Sequence, residues 1–142
     1  MKTKILFEYT DLAGDYALES AWAEPCEAGT YRLDNILFYA PEYALGDEVA
    51  VEERSGEWYV TGLVAESGHS TVRVLFTEES AVRLTQAALR ALGCDSELSN
   101  LPILLAVDIP SSVSYAEVKQ YLEAGVQANK WGYEEACLAH RV

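Results

Sequence analysis

Polar and apolar residues alternate with a period of two through much of the first half of this chain, and with a helical period through parts of the second. Ile5, Phe7 and Tyr9 alternate with Lys4, Leu6 and Glu8, as in a strand that buries one face. A loop at Gly14 leads to a second strand over residues 17–23. Pro25 and Gly29 then punctuate the chain before Tyr31–Asp34 resumes it. Beyond Pro41 and Gly46 a meander follows. Val49 and Val51 share a face up to Ser55-Gly56, Trp58 and Val60 share one up to Ser67-Gly68, and Val72, Val74 and Phe76 share a third. Short strands parted by Ser-Gly turns predict an antiparallel sheet or small barrel.

The period then changes. Thr77 is placed to cap a helix whose positive end suits Glu78 and Glu79. Ala81, Leu84, Ala88 and Ala91 fall on one face, with Val82, Leu89 and Leu92 beside it, and Gly93 is the expected terminator. A short strand over residues 95–99 precedes the apolar run Ile103–Ile109, which reads as a buried central strand. Ser114 and Glu117 have capping-box spacing for a second helix. Val118, Leu122, Gly125 and Val126 form its inward face, Asn129 closes it, and residues 131–139 alternate as a last strand. Counted from His69, the order is strand, helix, strand, strand, helix, strand, the ferredoxin-like arrangement. The expected fold class is α+β: an N-terminal antiparallel β-sheet or small barrel followed by a ferredoxin-like βαββαβ unit. The first, acidic and β-rich, covers residues 1–68 and the second residues 69–142, with Gly68 a hinge inside one compact unit.

Charge sharpens this picture. Residues 1–66 hold 14 carboxylates against 4 Lys and Arg, a net of −10, within a chain of 142 residues at −13. Half the residues are apolar, enough for a core. A phosphate backbone is bound by cations that release its counterions, so a chain this acidic repels nucleic acid; Trp131 and Tyr133 are assigned to core packing instead. No stretch approaches the ~20 apolar residues of a membrane span. Lys2 and Lys4 are followed by only Ile5, Leu6 and Phe7 before Glu8, too short for an export signal, so a cytoplasmic location is expected. Cys26, Cys94 and Cys137 are odd in number and widely spaced, which suits reduced thiols.

Candidate chemistry is sparse. His69, in Ser67-Gly68-His69-Ser70-Thr71-Val72-Arg73, has the composition of a general base or phosphate ligand. Its plainer reading is a turn residue ahead of a strand whose Arg73 pairs with a carboxylate. Cys137 follows Glu134 and Glu135, whose charges oppose a thiolate, so a small core residue is expected rather than a nucleophile. No metal-ligand spacing or phosphate-loop glycine pattern occurs. No enzyme, cofactor or metal is expected.

Tyr31-Arg32-Leu33-Asp34-Asn35, Phe38-Tyr39-Ala40 and Ala44-Leu45-Gly46-Asp47 occur in order, followed by the His69 segment, Leu105-Ala106-Val107-Asp108 and Tyr133-Glu134-Glu135-Ala136-Cys137-Leu138. This ordered set resembles the bacterial family catalogued as domain of unknown function 4265, over nearly the whole chain. The resemblance implies no activity. By analogy, small acidic bacterial proteins of this kind look like immunity partners of toxins.

The expected function is therefore that of an immunity protein, a cytosolic inhibitor that neutralises a basic toxin domain, a nuclease foremost. Its contact surface would comprise Asp11, Asp15, Glu19, Glu24, Glu27, Asp47, Glu48, Glu52, Glu53 and Glu57, with Tyr16, Tyr39 and Tyr43 as anchors. Outward carboxylates that merely confer solubility are the competing explanation. The alternative function is a small-molecule-binding or regulatory domain. Its pocket would lie between the halves, with Tyr31, Asn35, His69 and Arg73 as polar groups.

Overall fold

In the computed structural model, which describes residues 1–140, the longest ladder joins β1 (Thr3–Thr10) to β2 (Tyr16–Pro25). It pairs Thr3 with Ala23 through to Thr10 with Tyr16. The last two residues of the expected second unit lie outside the described ones. Asp11 builds the hairpin turn, its Oδ1 accepting from the N–H groups of Ala13 and Asp15 at 3.0 and 2.9 Å, an Asx turn. β3 (Tyr31–Leu33), β4 (Glu48–Arg54) and β5 (Glu57–Ala65) continue the meander. Ser55 and Gly56 both take positive φ, 52° and 84°, as a tight two-residue hairpin requires.

The five strands close into a barrel. Of the two expected forms, antiparallel sheet or small barrel, the barrel is the one present, and the closing pair differs from the other ladders: β1 and β5 run parallel, with Ile5 beside Trp58 and Leu6 beside Tyr59. Strands that alternate in direction leave the first and fifth pointing the same way. Register shifts between β4 and β5, at Glu48/Val49 and Ala50/Val51, supply the bend that closure needs. Ile5, Phe7, Leu33, Leu37 and Val49 fill the interior.

The second half contains β6 (Ser70–Phe76), α1 (Val82–Ala91), β7 (Asp95–Leu98), β8 (Leu104–Ile109), α2 (Tyr115–Gln127) and β9 (Trp131–Cys137). Its sheet has the order β7-β8-β6-β9, with every neighbouring pair antiparallel. The chain is thus a mixed α+β protein with mostly antiparallel strands in two sheets and, among the described residues, two α-helices. Val72, Val74 and Phe76 of β6 pack with Leu105, Val107 and Ile109 of β8 against Leu89, Val118 and Leu122 of the helices. Thr71 and Arg73 take the other face of β6.

Two helix expectations need correction. Thr77 is not a cap: its hydroxyl donates to the carbonyls of Asn129 and Lys130 at 3.1 and 3.0 Å. A 3-10 turn over Glu79–Ala81 precedes α1, which begins without a side-chain cap. The late start rotates the helix, so Val82, Thr85 and Leu89 are buried while Leu84 is 78% exposed. α2 follows its pattern more closely. Ser114 Oγ accepts from the Glu117 N–H at 3.4 Å, and Asn129 ends the helix at φ 58°. Gly125 lies directly beneath the Trp131 ring.

Candidate functional site

The barrel meets the second sheet through the loop at residues 37–40. Arg73, 6% exposed, donates from Nε to the Leu37 carbonyl at 3.3 Å, from Nη1 to the Tyr39 carbonyl at 2.9 Å, and from Nη2 to the Ala40 carbonyl. Its Nη1 also reaches Glu134 at 3.2 Å. On the other side of the loop, Glu19 accepts from the N–H groups of Phe38, Tyr39 and Ala40 at 2.7, 3.0 and 2.8 Å. A guanidinium and a carboxylate therefore satisfy opposite polar edges of one short segment.

Asp47, 3% exposed, does similar work lower in the seam. It accepts from the Ala44 N–H at 2.9 Å and from both the N–H and hydroxyl of Ser67 at 2.9 Å. Gly46, at φ 86°, leaves only 3.0 Å between a would-be Cβ and Ser67 Cβ, so a side chain at this turn would be both strained and crowded. Glu48 accepts the Thr30 hydroxyl. Three of the ten expected partner-binding carboxylates, Glu19, Asp47 and Glu48, are thus committed inside the fold. Nothing local in the sequence separates Glu19 and Glu48 from the others, since their donors lie 18 to 21 residues away, whereas Asp47 has one donor, the Ala44 N–H, three residues back.

The four polar residues expected to line a pocket have separate surroundings. Tyr31 packs on Trp58 with ring centroids 6.1 Å apart. Asn35 Oδ1 accepts from the Trp22 N–H at 2.6 Å. Arg73 fills the seam, and His69 Nδ1 faces Asp108 at 2.8 and 3.1 Å. Of the four, only Asn35 lines the cleft of about 200 Å³ that Lys4, Glu19, Trp22 and Phe38 also border. Lys4 Nζ stands 5.1 Å from the Trp22 ring centroid, a cation–π contact that becomes visible only once the β1–β2 register pairs the two.

His69 and Asp108 come closest to catalytic geometry. Asp108 is 2% exposed, and burial raises its carboxyl above the ordinary value despite the opposing pull of His69. His69 Nδ1 donates to that carboxylate, which orients the ring. Among the described residues no serine, threonine or cysteine hydrogen-bonds to either ring nitrogen of His69, so no nucleophile completes a triad. In the adjoining turn, His140 Nε2 donates to the Pro110 carbonyl at 2.9 Å and Nδ1 accepts the Ser70 hydroxyl at 2.6 Å, an arrangement that ties His140 to the start of β6. Burial, followed by nearby carboxylates, pushes the Cys94 and Cys137 thiols up to about 11, away from nucleophilic use. Among the described residues no group of three or more His, Cys, Asp and Glu could hold a metal.

The remaining acidic groups form the surface of interest. In a meander, successive turns lie at alternate ends. The turns after β2 and β4 therefore share one end of the barrel, opposite the β1–β2 turn that carries Asp11 and Asp15. Glu24, Glu27, Glu53 and Glu57 lie in or beside these two turns, exposed and, among the described residues, free of ion pairs within 4.0 Å, with Glu53 and Glu57 on opposite faces of their hairpin. Nearby cations are already engaged: Arg54 holds Glu8 and Glu52 at 3.1 and 2.6 Å, and Lys2 holds Asp34 at 2.5 Å. Arg32 lies between Glu24 and Glu48 in the strand register. Tyr43 packs on Phe7 at 5.1 Å, whereas Tyr39 stays 37% exposed and Tyr16 64%.

A five-stranded barrel clamped to a helix-backed sheet, with no assembled catalytic centre among the described residues, defines a small α+β protein whose most distinctive exposed feature is charge. Residues 19–133 match the family model described as "Domain of unknown function (DUF4265)", and the chain belongs to that family. It is similar to a solved structure titled "Novel crystal structure of a hypothetical protein from Neisseria gonorrhoeae", at 26% identity and TM-score 0.89, over 99% of this chain and 98% of that one. No match was found among the curated proteins. No helix among the described residues is long and apolar enough to cross a membrane.

Proposed function

We propose that this chain is an immunity protein: a cytoplasmic inhibitor that binds and neutralises a basic toxin domain, foremost a nuclease, through the acidic end of its barrel. The observation that carries this reading is that Glu24, Glu27, Glu53 and Glu57, in or beside the two turns at one end of the barrel, are exposed and without ion pairs among the described residues. A nuclease cleft that holds phosphates presents Lys and Arg, and opposed potentials speed encounter and suppress wrong partners. The second half, with its ferredoxin-like βαββαβ order, serves as the platform that the Arg73 seam fastens to the barrel. Neither cofactor nor metal takes part.

The test is association with a basic toxin domain encoded beside this gene. The expected result is tight binding whose association rate falls steeply with salt, and falls about tenfold further in the double variant E53K/E57K. Association insensitive to both, or a metabolic gene neighbourhood with no basic protein captured from the native host, overturns the proposal. A second function, small-molecule binding at the expected polar residues, finds there the cleft of about 200 Å³ at Lys4, Trp22 and Asn35. That volume is below the ~300 Å³ at which ligand pockets begin, and the seam between the halves is filled by Arg73 and residues 37–40.

A further inference from the structure

We propose that the outer edge of β9 receives an extended, lysine- or arginine-bearing segment of a protein partner, which adds as a further strand beside Trp131–Glu135; the basic character of that partner rests on the function proposed above. Among the described residues β9 ends the sheet, with β6 as its one neighbour. Among the described residues the backbone contact to its outer side is a single bond, from the Glu42 N–H to the Ala136 carbonyl at 3.0 Å, beyond the stretch in question. An open row of N–H and C=O groups is a template for another strand.

What flanks that edge selects the occupant. Toward α2 lies an open groove of about 380 Å³ lined by Glu123, Val126, Gly132, Tyr133 and Glu135. Every second side chain of an added strand would enter it. There Glu123 carries the Tyr133 hydroxyl at 2.8 Å, and Glu135 holds Lys119 at 3.5 Å together with the Tyr115 hydroxyl. On the opposite face stands Glu134, its side chain 63% exposed beyond its contact with Arg73. An incoming strand therefore meets carboxylates on both faces, and cations at alternate positions satisfy them. A second copy of this chain fits poorly, because edge-to-edge pairing would bring Glu134 and Glu135 near their own counterparts, and like charges across a ladder destabilise it. The other free edge, β7, has only four residues.

The probe is an eight-residue peptide with Lys at every second position and Val or Thr between, added to the full-length protein while amide hydrogen exchange is followed at Gly132–Glu135. Exchange of the outward-facing amides should slow about tenfold, and E123K/E134K should weaken binding about tenfold. The same peptide with Glu in place of Lys, or with alternate backbone nitrogens methylated, should protect nothing. Unchanged exchange with the Lys peptide overturns the proposal. So does equal protection by either control, or protection that rises with protein concentration alone. The barrel-end variant E53K/E57K should leave peptide binding intact. A toxin domain that binds while the β9 amides exchange freely removes this docking edge and leaves the inhibitor role standing. Protection by the Lys peptide without any toxin partner does the reverse.

Discussion

Arg73 and Glu19 hold opposite sides of the same loop. The guanidinium takes the carbonyls of Leu37, Tyr39 and Ala40, and the carboxylate takes the N–H groups of Phe38, Tyr39 and Ala40. The loop belongs to the barrel and Arg73 to the second sheet, so this arrangement fastens the two halves. Arg73→Met should cost about 3 kcal/mol in urea unfolding, because the carbonyls lose their donors in a dry seam. Arg73→Lys should recover part of it, lacking the planar fork. Wild-type stability in the Met variant would remove Arg73 from this role.

The internal and external carboxylates should separate cleanly by experiment. Glu19→Ala leaves three backbone N–H groups without their acceptor and should cost about 2 kcal/mol. Glu53→Gln should leave the unfolding midpoint unchanged while slowing association with a basic partner. If both variants behaved alike in unfolding, the division of the acidic residues into structural and surface sets would be wrong.

Gly125 admits no side chain. A Cβ there would stand 1.9 Å from Trp131 Cζ2, and that ring is fixed by the indole N–H donating to the Leu122 carbonyl at 3.0 Å. Gly125→Ala should destabilise by roughly 1–3 kcal/mol through overpacking, despite Ala's better helix propensity. Adding Trp131→Leu should be less damaging in the Gly125→Ala background than in wild type, a coupling that a double-mutant cycle measures.

Asp108 makes stability pH-dependent in a definite direction. Burial keeps its carboxyl above the ordinary 3.8, so the folded chain retains this proton at pH values where the unfolded chain has lost it. The native state then binds more protons, and stability falls as pH rises through the folded value. Asp108→Asn should flatten the melting-temperature profile just above the ordinary carboxylate range. Parallel profiles for wild type and variant would show that Asp108 does not contribute.

Thiol chemistry offers a further check. With Cys94 and Cys137 pushed up to about 11, their thiolate fraction near pH 8 is roughly 200-fold below that of an ordinary thiol at ~8.5. Alkylation by iodoacetamide should be at least about 100-fold slower at both than for free cysteine, read by mass spectrometry of the digested protein. Rapid modification of Cys137 in the native protein would reopen a nucleophilic role.

The helix faces show where one-dimensional pattern stops being sufficient. α2 carries its cap at Ser114 and its buried face at Val118 and Leu122 where spacing places them, because cap and period are properties of adjacent residues. α1 misleads because Thr77 faces Asn129 and Lys130, a contact made 52 and 53 positions away. Its hydroxyl was unavailable for capping, and the helix began four residues later. The same limit governs the site. Asn35, His69 and Arg73 look alike as polar residues in motifs, yet one braces Trp22, one pairs with Asp108 and one fills the seam.

Sequence alone determined the order of strands and helices, the excess of negative charge, the family and the lack of any spacing suited to metal or phosphate. Each is carried by neighbouring residues or by simple counts. Tertiary structure decided which carboxylates face solvent. Glu19 finds its donors 19 to 21 residues away and Asp47 finds Ser67 at 20, whereas Glu53 and Glu57 find none among the described residues. Whether a charge is spent inside the fold or left for a partner depends on which backbone N–H groups the chain brings to it, and that is settled only when the barrel closes.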